Sequence, residues 1–216
     1  MLWWVEVIGV FLIVGASLYA FYELAQDVNT SAAVARFDEV VSRRITNLRR
    51  PWLDHVMKIA TYAGGTIGIT VLTFILVFAL IDLGRVSEAR YSAVLVIGGT
   101  ILANALKPVL KRVRPPEHEA LIKTPRSSSF PSGHSMASMC LALAAIEATL
   151  AAPSVVIVIK IAVIAVCAIY VFLVGISRIY LEVHWPSDVL ASWLLGTAWI
   201  TGAIGLKLLV LQGKPG

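Results

Sequence analysis

The chain of 216 residues is too apolar for a water-soluble domain, since 58% of its residues are hydrophobic, 14% are charged and its mean hydropathy is +0.84. Its formal net charge of +5 at pH 7 would suit nucleic-acid binding, but apolar runs fill nearly the whole length and leave no room for a soluble basic domain. The composition therefore excludes a nucleic-acid partner. It predicts one membrane-embedded domain over residues 1–216, with an anionic lipid as its partner.

Six apolar runs are each long enough to cross the bilayer as a helix, because about 20 residues span its hydrocarbon core. The runs are continuously apolar rather than alternating, which favours helices over the strands of a barrel. The predicted fold class is therefore all-α, a polytopic membrane protein with six transmembrane helices. The predicted spans are Leu2–Tyr22, Ile59–Ile81, Tyr91–Leu110, Ser135–Ala152, Ser154–Ile176 and Val189–Leu211.

The segment Asn29–Trp52, after the first span, has the pattern of an amphipathic helix lying at the membrane interface. Apolar residues recur there at helical spacing among several arginines. One interpretation is a surface anchor whose arginines contact lipid headgroups, and the other is a lid that collects an anionic substrate. The anchor is favoured, because such stripes usually just lie on a membrane. The apolar positions are Val34, Phe37, Val41, Ile45 and Leu48, and the basic ones are Arg36, Arg43, Arg44, Arg49 and Arg50.

The end of the third span carries basic residues, with Lys107 and Arg114 seven positions apart and Pro115 following. A continuing helix would place these two cations about two turns apart on one face, where both can contact one anion. Taken alone, they are equally typical of basic residues that end a membrane helix by snorkelling to headgroups.

The segment FPSGH at residues 130–134 immediately precedes the fourth span and predicts a helix N-terminus. Ser132 can cap the helix, Gly133 lets the backbone approach a ligand, and the free N–H groups favour a phosphate. His134 then lies in the first turn, beside that phosphate. The plainer alternative is a cap with a polar histidine near water.

A third group of polar residues links the fifth and sixth spans and contains Arg178, His184 and Asp188. Pro186 suits a first helical turn, so His184 should lie in the lead-in and Asp188 in the helix, within reach of the imidazole. A carboxylate that accepts one ring N–H leaves the other nitrogen free as a nucleophile. The alternative is an interfacial ion pair that pins two helices.

Six spans would bring all three groups to one face of the membrane. Lys107, Arg114 and Arg178 would then neutralise phosphate oxygens, because three clustered cations repel one another unless an anion joins them. The helix start at Ser132 and Gly133 would add N–H donors. The conjunction predicts a phosphate site flanked by two histidines.

These residues resemble the three signatures of the type 2 phosphatidic acid phosphatase family, which shares its site with vanadium haloperoxidases. The matching residues are Lys107 with Arg114 and Pro115, the segment 131–134, and Ser177 and Arg178 with His184 and Asp188. The fragment 50–57 before the second span also resembles small bacterial members. Glu182 departs from the pattern, since members often have glycine there, and it places an acid near the site.

The resemblance implies that His184 attacks phosphorus to form a phosphohistidine, that Asp188 orients His184, and that His134 protonates the leaving group and later activates water. It implies no metal and no other cofactor, and the cations already supply the charge that Mg²⁺ would provide. The acidic and histidine cluster Glu117, His118 and Glu119 has no partner motif and is interpreted as a solvated loop.

Two other functions use the same pocket: binding or transport of phosphorylated lipids without hydrolysis, and haloperoxidase chemistry with vanadate. Within the phosphatase interpretation, the motifs do not distinguish phosphatidic acid, phosphatidylglycerol phosphate and undecaprenyl diphosphate, and they do not address oligomeric state. The many cations on the catalytic face would place it in the cytoplasm by the positive-inside rule. The resemblance instead implies a bacterial inner membrane protein with its active site facing the periplasm or exterior, and we follow it.

Overall fold

A computed structural model describes residues 3–116 and 120–212, and every element in these ranges is a helix. The predicted solvated loop at residues 117–119 lies outside the described residues. The helices are α1 (Trp3–Asp27), α2 (Ala32–Thr46), α3 (Pro51–Ala63), α4 (Thr66–Asp82), α5 (Val86–Leu110), α6 (Gly133–Leu150), α7 (Ile157–Tyr180) and α8 (Pro186–Gln212).

Five of these helices, α1, α5, α6, α7 and α8, are each long and apolar enough to cross a membrane. The prediction of a polytopic all-α fold is confirmed, and the number of spans reaches six if α3 and α4 together make one. The prediction of a continuous second span, Ile59–Ile81, is wrong because α3 and α4 meet at a bend of 60°. Gly68 allows the bend: a Cβ there would lie 2.3 Å from the Tyr62 carbonyl oxygen at the end of α3.

The amphipathic helix exists, but it is shorter than the predicted segment Asn29–Trp52. It ends at Thr46, and α3 begins at Pro51, whose ring disfavours helix at the preceding Arg50 and suits a first helical turn. Asp38 of α2 is almost fully buried, with 2% of its surface exposed. The helix therefore packs against the bundle as well as facing the membrane surface.

Helix α6 lies at the centre of the bundle, between α5, α7 and α8. Its Met136 and Cys140 pack with residues of α5 and α8 such as Ala103 and Leu195. The approach of α5 is close, since a Cβ on Gly99 would lie 2.4 Å from the Cys140 sulfur. This packing fixes the N-terminus of α6 among the ends of its neighbours.

Candidate active site

The predicted site residues come together at one end of the bundle, where α5 and α7 end and α6 and α8 begin. The backbone N–H of Ser132, before α6, donates to the Asp188 carbonyl oxygen in α8 at 3.4 Å. Leu110 at the end of α5 packs with Phe130, which precedes α6. The sequence-based prediction that these ends converge is therefore correct.

His184 lies in the short turn between α7 and α8, as Pro186 predicts. The turn is held by the Arg178 carbonyl oxygen, which accepts from the His184 N–H at 3.2 Å. Asp188 lies in the first turn of α8, and its Oδ2 accepts from His184 Nδ1 at 3.2 Å and from the Trp185 N–H at 2.9 Å. Both His184 and Asp188 are buried, so this carboxylate fixes the imidazole in one orientation.

The other ring nitrogen of His184 contacts Arg114, whose Nη1 lies 3.2 Å from Nε2. A guanidinium can only donate, so Nε2 accepts and the single ring proton is on Nδ1, facing Asp188. Burial and the positive charges of Arg178, Arg114 and Lys107 hold the pKa of His184 well below its ordinary value. The imidazole is therefore neutral, with its Nε2 lone pair directed at the cations.

Arg114 reaches this site from a loop, and the prediction that it continues the helical face of Lys107 is wrong. Helix α5 ends at Leu110, and Lys111 adopts the left-handed conformation with φ of 40°. Pro115 also disfavours helix at Arg114. The guanidinium is held by the carbonyl oxygens of Val183 at 2.6 Å and Ser127 at 3.0 Å. Burial lowers the pKa of Arg114, and the charge of Asp188 opposes this shift.

Lys107 remains in the last turn of α5, beside the start of α6. Ser132 caps α6 by accepting from the Ser135 N–H at 3.5 Å, as predicted. A Cβ on Gly133 would lie 3.5 Å from Lys107 Nζ, so the ammonium group lies against the helix N-terminus. His134 is in the first turn of α6, and Lys107, Gly133 and His134 line the same cavity.

Arg178 is buried near the end of α7, with 3% of its surface exposed. Its Nη1 donates to the Thr61 hydroxyl of α3. Its Nε is buried and has no hydrogen-bond partner among the described residues. An unsatisfied buried donor costs about 1–3 kcal/mol, and a phosphate oxygen would satisfy this one.

Two residues of the site, Arg112 and Asp38, were missed by the sequence analysis. Arg112 donates from Nη1 to Asp188 Oδ1 at 2.6 Å and from Nη2 to Asp38 Oδ2. Asp38 also accepts from the Ser187 N–H at 2.8 Å, and all of these side chains are buried. A signal was present, because Asp38 interrupts the apolar stripe of α2 between Val34 and Val41.

Glu182, which departs from the glycine that the resemblance implies, adopts a left-handed conformation with φ of 53°. Glycine would enter this region without steric cost. The carboxylate of Glu182 forms an ion pair with Arg49, which also donates to the Tyr180 carbonyl oxygen at 2.9 Å. The acid that the sequence places near the site is thus paired with a basic residue between α2 and α3.

No group of three or more His, Cys, Asp or Glu residues in the ranges 3–116 and 120–212 is arranged to hold a metal ion. The charged groups that surround His184 are cations and the paired carboxylates of Asp188 and Asp38. The cations around His184 can therefore bind an anion with several oxygens, such as a phosphate group.

A bundle of apolar helices whose ends hold a neutral buried histidine, a second histidine and three cations defines a membrane phosphatase. The chain belongs to the PAP2 superfamily, whose family model matches residues 88–208. It is a lipid phosphatase of that superfamily.

Two named relatives and two solved structures are similar to the chain. Phosphatidylglycerophosphatase B of Bacillus subtilis is 31% identical over 83% of this chain and 88% of its own length. Undecaprenyl-diphosphatase of Sulfolobus acidocaldarius is 34% identical over 47% of this chain and 46% of its own length. The crystal structure of the transmembrane PAP2 type phosphatidylglycerolphosphate phosphatase from Bacillus subtilis matches with a TM-score of 0.84 and 27% identity, covering 93% of this chain and 98% of that one. The crystal structure of Aquifex aeolicus LpxE matches with a TM-score of 0.58 and 29% identity, covering 77% of this chain and 93% of that one.

The contacts of Arg112 generate a prediction about stability. Arg112→Ala leaves the buried carboxylates of Asp38 and Asp188 facing each other without a cation, and we expect it to lower the free energy of unfolding by about 3 kcal/mol. Thermal unfolding in detergent measures this, and Lys111→Ala, which removes the neighbouring exposed lysine, is the control. The double variant Arg112→Ala with Asp38→Asn should recover part of the loss. Additive losses would contradict the proposed charge coupling.

Proposed function

We propose that this protein hydrolyses the phosphate monoester or diphosphate of a membrane lipid through a phosphohistidine on His184, without a metal ion. The observation that carries the proposal is the environment of His184 Nε2, an unprotonated nitrogen beside Arg114 on an imidazole that Asp188 holds from the other side. Such a nitrogen is a nucleophile, and the cations around it attract the anionic group that it would attack.

In the first step, the Nε2 lone pair of His184 attacks phosphorus as the bond from phosphorus to the lipid oxygen breaks. His134 donates a proton to the departing oxygen, so the lipid leaves as an alcohol or as a phosphate. Lys107, Arg114 and Arg178 stabilise the negative charge on the phosphoryl oxygens. Asp188 stabilises the positive charge that develops on the imidazole, because it accepts from Nδ1.

In the second step, water attacks the phosphohistidine and His134, now unprotonated, accepts a proton from that water. The bond between phosphorus and Nε2 breaks, inorganic phosphate leaves and His184 returns to its neutral form. His134 is thus an acid in one step and a base in the next, which restores its proton at the end of the cycle.

Two cavities that meet at Lys107 and Asn104 support a lipid as the substrate. An apolar cleft between α4 and α5 has a volume of about 530 Å³ and reaches His134. A second cavity of about 690 Å³ has the basic residues Lys111 and Arg126 in its wall. A lipid would place its hydrocarbon tail in the apolar cleft and its anionic head in the basic cavity.

The location that we propose is a bacterial inner membrane, with the active site facing the periplasm or exterior. The last turns of α1 pack with Phe130 and Ala191 near the site, so both residue 3 and the end of α8 are on the opposite face. Two of the cations on the catalytic face have local roles, since the guanidinium groups of Arg112 and Arg114 contact Asp188 and His184. They are therefore weak evidence for a cytoplasmic side.

Activity should survive an excess of EDTA, because positive side chains stabilise the phosphoryl group in this mechanism. Phosphate release from phosphatidic acid in detergent micelles, with and without EDTA, measures this. Loss of turnover that Mg²⁺ restores would contradict the metal-free mechanism.

Replacing each of the two site histidines by alanine should impair a different step of the reaction. His134→Ala spares attack on a phosphate ester whose leaving group needs little protonation, but it slows hydrolysis of the phosphoenzyme by about 10²–10⁴-fold because water loses its base. Acid-labile phosphohistidine should therefore accumulate on His134→Ala, as detected with labelled phosphate on the quenched protein. His184→Ala should carry no label and should lose turnover with every substrate.

The exposed His55, which contacts the Pro51 carbonyl oxygen in α3, provides the control for this experiment. His55→Ala should turn over substrate at the wild-type rate without accumulating label. Near wild-type turnover of a lipid by His184→Ala would show that His184 is not the nucleophile.

A further inference from the structure

The bend between α3 and α4 lies against the phosphate site. Thr61 is in the last turn of α3 and is almost fully buried, with 2% of its surface exposed. Gly65 immediately precedes α4, and a Cβ there would lie 3.3 Å from His134 Nε2. Gly65 also lines the cavity that Lys107 and His134 line. A segment outside the three sequence motifs therefore forms one wall of the site.

One face of α7 holds this segment through three side chains. Tyr170, Val174 and Arg178 follow one another at intervals of four residues, so they lie on the same face of the helix. The Tyr170 hydroxyl donates to the Ala63 carbonyl oxygen at 3.1 Å. Val174 packs against Gly64, where a Cβ would lie 2.3 Å from the valine Cγ1. The end of α3 is therefore fixed against α7 one helical turn before Arg178.

The third contact differs from the other two because it is made by a cation of the site. Nη1 of Arg178 donates to the Thr61 hydroxyl. A guanidinium group is planar and rigid, so a bond at Nη1 also fixes the direction of Nε. This Nε is buried and has no hydrogen-bond partner among the described residues. Thr61 thus holds the guanidinium by one nitrogen while the Nε N–H stays available for a phosphate oxygen.

We propose that Thr61 is a positioning residue, whose hydroxyl orients Arg178 so that the Nε N–H reaches an oxygen of the transferring phosphoryl group. This inference rests on the proposed phosphatase function. The effect of Thr61 on the reaction passes through Arg178. An acceptor at this position restricts the rotamers of a long, flexible side chain before the substrate arrives, so less entropy is lost when phosphate binds.

Two substitutions separate the hydroxyl of Thr61 from its shape. Thr61→Val keeps the branched side chain but removes the acceptor, and kcat/KM for phosphatidic acid should fall by about 10–100-fold, since misplacing a group of the site by about 1 Å can cost that much. Thr61→Ser retains the hydroxyl and should keep a kcat/KM close to the wild-type value. Thr61→Ala, which also lacks the acceptor, replaces the valine variant if that protein does not fold.

Tyr170→Phe is the matched control. It deletes another hydroxyl between α7 and the end of α3, but Tyr170 lies two helical turns from Arg178 and donates to a backbone oxygen. If the contact between the helices mattered only for stability, Tyr170→Phe and Thr61→Val would have similar effects on activity. We expect Tyr170→Phe to keep the wild-type kcat/KM.

Binding of orthovanadate, measured as thermal stabilisation in detergent, provides a second readout that does not require turnover. Vanadate resembles the transition state of phosphoryl transfer. Its dissociation constant should rise by about tenfold in Thr61→Val, since a hydrogen bond to a charged group is weakened, and should not change in Thr61→Ser or Tyr170→Phe. In the Arg178→Ala background, adding Thr61→Val should cause no further change, because the hydroxyl acts through Arg178.

A wild-type kcat/KM and vanadate affinity in Thr61→Val would overturn the inference and leave the phosphatase function intact. Equal losses in Thr61→Ser and Thr61→Val would also overturn it, since the hydroxyl would then not be the group that matters. So would additive losses in the double variant with Arg178→Ala. If the wild type hydrolyses no lipid but its vanadate affinity depends on Thr61 as described, the proposed function fails and the role of Thr61 in anion binding stands.

Discussion

The geometry of the site depends on one buried cation, the guanidinium of Arg112, which bridges the carboxylates of Asp188 and Asp38. Without it, two carboxylates would face each other in a region that excludes water, and Asp188 could not keep its charge toward His184. The same contact attaches α2 to the start of α8. Helix α2 therefore helps to hold His184 in place, in addition to any role as an anchor.

A second constraint is the cluster of cations that faces His184. Burial, together with the charges of Arg178, Arg114 and Lys107, lowers the pKa of His184 and keeps the imidazole neutral. The buried Arg178 Nε has no hydrogen-bond partner among the described residues. A phosphate group would compensate the repulsion between these cations and accept from the free N–H. In the proposed mechanism, this neutral imidazole is the nucleophile, and an anion would balance the charge of the surrounding cations.

The parts of this site that the sequence predicts are those fixed by local rules. Ser132 and Gly133 begin a helix, and Pro186 separates His184 in the turn from Asp188 in α8, because capping and proline effects act within a few residues.

The displacement of Arg114 into a loop was missed, because a spacing of seven residues was interpreted without the breaks that Lys111 and Pro115 introduce. The pairing of Asp38 with Arg112 joins residues 74 positions apart, which local patterns do not reveal. The bend between α3 and α4 depends on a close approach at Gly68 that hydropathy alone does not detect.

The most direct test of a covalent step at His184 is the configuration of the phosphorus atom after one turnover. A thiophosphate monoester made chiral at phosphorus with sulfur and two oxygen isotopes, hydrolysed in water of the third isotope, releases chiral inorganic thiophosphate, whose configuration reports the number of in-line displacements at phosphorus. Attack by His184 followed by attack of water inverts the configuration twice, so the mechanism predicts overall retention. Overall inversion would show that water attacks the lipid phosphate directly, and it would contradict a phosphohistidine intermediate.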